Sequence, residues 1–93
     1  MKTKPYELVL LEEIRDKLLT NYGLRLHYED ETVVKIISPR TKKLATIRVK
    51  DYGSFSFTPS QPISEGSWHY WTQQKRNFKY QERLIKAVVT YLE

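Results

Sequence analysis

The sequence predicts an α+β fold in the order helix, three- or four-stranded antiparallel meander, C-terminal helix, with both helices packed on one face of the sheet. Three observations predict it. Apolar residues recur at steps of three and four near both ends of the chain, they alternate with polar residues in the middle, and short turn-forming stretches join the alternating runs directly. With 93 residues, 40% of them hydrophobic, the chain can fill one core, so residues 1–93 are read as a single domain.

The first helix is "TKPYELVLLEEIRDKLLTNYG", where Leu8, Leu11, Ile14, Leu18 and Tyr22 form one stripe. Pro5 suits a first helical turn, because its missing N–H would have no partner there, and Gly23 suits the left-handed residue that ends a helix. Next, "LRLHYE" alternates Leu24, Leu26 and Tyr28 with Arg25, His27 and Glu29, the pattern of a strand covered on one side. "TVVKIIS" is rich in β-branched residues and reads as a largely buried strand, stopped by Pro39.

In "LATIRVK", Ala45, Ile47 and Val49 face one way and Thr46, Arg48 and Lys50 the other. "DYGS" then turns the chain at Gly53, and "SFSFTP" sets Phe55 and Phe57, expected in the core, against Ser54, Ser56 and Thr58. Residues 59–67, with two prolines, three serines and a glycine, are expected to be the one long loop. Beyond it, Phe78, Leu84, Ile85, Val88, Val89 and Leu92 form an apolar arc. Trp71 lies seven residues before Phe78, which extends that stripe and predicts a helix starting near residue 70, with Trp71 in the core. Asn77 is the alternative N-cap.

Sixteen Lys and Arg against eleven Asp and Glu give a net charge of +5, a bias toward polyanions such as nucleic acid or an acidic protein surface. The absence of cysteine excludes disulfides, thiolate catalysis and cysteine-ligated metal sites, and it fits a reducing compartment. The apolar run "LVLL" is too short for a signal core or a membrane span, which places the protein in the cytoplasm and away from membranes.

Two basic clusters stand out. Residues 35 to 50 carry Lys35, Arg40, Lys42, Lys43, Arg48 and Lys50 with no acid among them. Lys75, Lys79, Arg83 and Lys86, with Arg76, would form a ridge on one side of the second helix, and Glu82 would sit at its edge. Between the clusters, "WHYW" offers Trp68, His69 and Tyr70 as rings that stack on bases or anchor a protein interface.

The expected function is a small basic binding module. It would bind nucleic acid through phosphate contacts by Arg40, Lys42, Lys43, Arg48, Lys50, Lys75, Arg76, Lys79, Arg83 and Lys86, with aromatic stacking by Trp68, His69 and Tyr70. The alternative is a protein-interaction module, an inhibitor or adaptor that docks on an acidic partner surface. No catalytic constellation is assembled. The two histidines have no ligand spacing, the glycines are too scattered to cradle a phosphate, and "RVKD" has Arg48 where a metal-dependent nuclease would need an acid. No cofactor or metal is implied.

Overall fold

The computed structural model describes residues 6–49, 54–64 and 69–93. The expectations for Pro5, Lys50, Gly53 and Trp68 fall outside those residues. Helix α1 (Tyr6–Tyr22) is followed by strands β1 (Arg25–Glu29), β2 (Val34–Ile37), β3 (Leu44–Val49), β4 (Phe55–Pro62), β5 (Tyr70–Thr72) and β6 (Arg76–Phe78), then by helix α2 (Gln81–Leu92). The fold is α+β with one antiparallel sheet, in the order β1-β2-β3-β4-β5, and β6 also pairs with β4.

Strand register explains the two-layer arrangement. Ile36 pairs with Ala45, Val34 with Ile47, Ile47 with Phe57 and Val49 with Phe55, so these residues share one face. On that face Leu11, Ile14 and Leu18 of α1 and Leu84, Ile85, Val88 and Leu92 of α2 join them in a single buried cluster. Both helices therefore cover the same side, as the sequence predicts. At the end of α1, Gly23 takes the left-handed conformation, with φ of +66°.

The first difference from expectation is β5 and β6, which occupy residues expected to begin the second helix. Tyr70, Trp71 and Thr72 pair with Pro62, Gln61 and Ser60, and Arg76, Asn77 and Phe78 pair with Phe57, Ser56 and Phe55. Were residues 70–78 helical, the outer backbone groups of β4, whose Phe55, Ser56 and Phe57 are buried, would have no hydrogen-bond partners there. Between the two short strands the register shifts by one residue, a bulge at which the Gln73 N–H donates to the Pro59 carbonyl at 2.9 Å. The bulge puts Trp71 and Phe78 on the same face although they are seven positions apart, an odd step. A helical stripe and a bulged strand are thus indistinguishable from their spacing. Trp71 is 57% exposed, so it is not part of the core.

Two smaller corrections follow from the same physics. The long loop is shorter than expected because β4 runs through Pro59 to Pro62, and Ile63 N–H donates to the His69 carbonyl to close the connection to β5. In β1, the register shifts between Leu26 and Tyr28, so the alternation does not continue through the strand. Past this bulge Glu29 turns toward α1, where its carboxylate meets the Arg15 guanidinium, while Tyr28 pairs beside Lys35 on the other face. Leu26, Tyr28 and Tyr22, all expected on buried faces, are exposed.

Candidate nucleic-acid interface

The second basic cluster does not lie along one helix. Lys75 is exposed in the link between β5 and β6, Arg76 belongs to β6, Lys79 sits in the turn after it, and only Arg83 and Lys86 are on α2. Tertiary packing nevertheless brings four of the five together. Arg76, Lys79, Arg83 and Lys86 line one groove of about 760 Å³ between the sheet edge and α2, with Phe78, Tyr80 and Tyr91 among the other lining residues. The α2 contribution comes from Arg83, Lys86, Ala87, Thr90 and Tyr91, at steps of three, one, three and one along a single stripe beside the buried one. Glu82 lies along the cleft between the two helices instead, so no carboxylate among the described residues lines this groove.

Ring contacts hold parts of this groove in place. The Arg76 guanidinium lies 5.9 Å from the Phe57 ring centroid and 5.5 Å from that of Phe78. Phe57 in turn meets Tyr91 edge to face, with centroids 5.8 Å apart. Partial burial pushes the Tyr91 phenol above its ordinary range, because the ionised form loses hydration. Tyr80 is 62% exposed, a ring with most of its surface open to solvent.

The first basic cluster divides between opposite sides of the sheet. Lys43 reaches toward α2, its ammonium 5.1 Å from the Tyr91 ring centroid, and so joins the side that carries the α2 groove. Arg48 pairs with Ser56 on the uncovered face, the face of Thr46 and Thr58. There it lines a second groove, of about 1020 Å³, together with Lys35, His27, His69 and Tyr70. Arg40 lines a hollow of about 540 Å³ with Lys42 and Lys43, so these three loop cations come together, and it also borders a smaller hollow that Glu93 lines. Lys42 is exposed in the β2–β3 turn, where its carbonyl accepts a hydrogen bond from the Tyr70 hydroxyl at 3.1 Å.

Of the expected stacking residues, His69 and Tyr70 are therefore on the uncovered face with Arg48, not beside the α2 cations. The sequence places Lys35 in a basic cluster and Arg48 on an outward strand face, but it does not join them with His27 and the hydroxyls of Thr46, Thr58, Ser60 and Thr72 into one surface. The signal for that surface is the polar half of the strand alternation, and pairing register is what assembles it. Among the described residues no group of three or more His, Cys, Asp or Glu is placed to hold a metal ion, and no helix is long and apolar enough to cross a membrane. Comparison of the chain with protein-family models, with curated proteins and with solved structures gives no match.

Proposed function

We propose that the protein is a nucleic-acid-binding module and that the groove between β6 and α2 is its principal phosphate-binding surface. The observation that carries this reading is the convergence of Arg76, Lys79, Arg83 and Lys86, drawn from a strand, a turn and a helix, on one groove with no carboxylate among the described residues of its lining. Four cations so placed can neutralise successive phosphates, releasing condensed counterions. Arg76 is held between two rings, so less freedom is lost when it contacts an anion, and Tyr80 offers an open ring for a base.

The test is fluorescence anisotropy with a labelled single-stranded oligonucleotide at about 50 and 200 mM salt, a range over which several phosphate contacts cost orders of magnitude in affinity. Affinity is expected at the lower salt and a steep fall at the higher. Absence of measurable affinity at the lower salt would remove the reading.

The groove floor supports a second reading, a protein-interaction module. Phe78, Ala87 and Tyr91 give it apolar surface between the cations, which suits a segment carrying both acidic and apolar side chains. A synthetic acidic amphipathic peptide that binds where oligonucleotides do not would favour this one.

A further inference from the structure

Among the described residues, both helices lie on one side of the sheet and none covers the other. Its other face carries the larger of the two grooves, and the groove's lining comes from the five strands β1 to β5 and from His69 beside β5. Register defines its floor: Lys35 pairs with Thr46 and Thr46 with Thr58, so an ammonium and two hydroxyls form a row across three strands. One strand further out, Ser60 pairs with Thr72, their hydroxyl oxygens 3.2 Å apart. Arg48 lies beside this row, two residues along β3 from Thr46. His27 enters from the β1 bulge and His69 from the approach to β5.

Among the described residues no carboxylate lines the groove. In the nearby acidic turn Asp30 accepts hydrogen bonds from the backbone N–H groups of Thr32 and Val33 and from the hydroxyls of Thr32 and Tyr28, and Glu29 pairs with Arg15 on the helix side. Among the described residues the only aliphatic side chain in the lining is Leu44, and the rest of the floor is made of hydroxyls, two cations, two imidazoles and the Tyr70 ring. An anion with many hydrogen-bonding groups would find donors along this floor.

Shape narrows the ligand further. About 1020 Å³ is at the upper limit of ordinary compact-ligand pockets, roughly 300–1000 Å³, and this groove is open along its length. Rings stand toward both sides of it: Tyr28 on β1, with the Lys35 ammonium 5.7 Å from its centroid, and Tyr70 on β5. These strands are four spacings apart in the sheet order, roughly 19 Å. A single strand laid across this face could set phosphates over the central cations and a base on each marginal ring, and stacking of unpaired bases on sheet-borne aromatics is a general mode of single-strand recognition. A duplex keeps its bases stacked and could not reach the hydroxyl floor.

We propose that the bare sheet face is a second nucleic-acid site, selective for single strands. The groove beside α2 lies toward the opposite, helix-covered side, so one chain would hold two separate stretches of nucleic acid at once and bring them together. This inference rests on the nucleic-acid reading of the α2 groove but is separable from it.

The experiment uses a labelled oligothymidylate, with the number of strands bound per chain read by native mass spectrometry and by titration. It is paired with energy transfer between two oligonucleotides that carry donor and acceptor. The wild-type chain is expected to bind two strands and to give energy transfer. K35E/R48E and R83E/K86E, both folded by circular dichroism, should each bind one strand and give none. One strand per wild-type chain, or a K35E/R48E variant identical to wild type, overturns the second site and leaves the α2 groove standing. An R83E/K86E variant that still binds as wild type does removes the α2 groove, and with it the two-strand arrangement. A wild-type chain that binds no oligonucleotide removes both proposals.

Discussion

The Lys43 ammonium lies 5.1 Å from the centroid of the Tyr91 ring and ties the β2–β3 turn to the last turn of α2. Thr41 reinforces that join, its hydroxyl donating to the Leu92 carbonyl at 3.0 Å. Through this contact one member of the loop cluster reaches the side on which Arg76, Lys79, Arg83 and Lys86 gather.

Tyr91 makes the packing of α2 sensitive to alkaline pH. Its phenol is raised above the ordinary value of 10.0 by burial, so the folded chain holds that proton more tightly than the unfolded chain does. The stabilisation is complete below the unfolded value and is lost as pH rises through the folded one. Stability measured by urea unfolding between about pH 9 and pH 11 should fall for the wild type. The fall should be shallower for Tyr91→Phe, and an identical fall in the two proteins would contradict this account.

Neutralising two cations of the α2 groove should change the salt dependence of binding by a defined amount. Each phosphate contact to a single strand contributes a slope of about −0.7 in log affinity against log salt. Arg83→Gln with Lys86→Gln should therefore flatten the slope by roughly 1.4, with little change in melting temperature because both side chains are exposed. An unchanged slope would mean that these residues do not touch phosphate.

Phe57 is fully buried and supports both Tyr91 and Arg76. Truncation to Ala should cost about 3–5 kcal/mol, the transfer and cavity terms together. Phe57→Leu should cost distinctly less while still loosening Arg76. Equilibrium denaturation of the two variants reads the difference directly, and a cost under about 1 kcal/mol for the Ala variant would show that the site collapses around the missing ring.

Lys42 adopts a left-handed conformation, with φ of 64°. A side chain costs about 1–2 kcal/mol there, and glycine removes that cost while adding freedom to the unfolded chain. Lys42→Gly should raise stability by about 0.5–1 kcal/mol, whereas Lys42→Ala, which removes the same charge, should not. Equal melting temperatures for the two variants would argue that the turn stores no strain.

Asp30 organises the β1–β2 turn, and its carboxyl is held below the ordinary value of 3.8, first by the Thr32 N–H and then by the Tyr28 and Thr32 hydroxyls and the Val33 N–H. Its contribution is complete above the unfolded value and disappears as pH falls through the depressed folded one. Asp30→Ala should lower the melting temperature at neutral pH and lose less on acidification to about pH 2 than the wild type does. Parallel acid profiles would count against it.

The sequence by itself determined the covered layer of this protein: the stripe Leu11, Ile14, Leu18 and the alternations through Ile47 and Phe57 follow periodicity, which local geometry imposes on any chain that buries one face. Only tertiary structure decided the assignment of residues 70–78, where Trp71 and Phe78 have a spacing that suits a helix and a bulged strand equally. The unpaired edge of β4 chose the strand, because its buried backbone groups needed hydrogen bonds. The same holds for the cations. Sequence showed that Arg48 and Lys43 are charged and close in the chain, yet an odd separation along a strand sends side chains to opposite faces, and packing of α2 on one of those faces determined which charges meet.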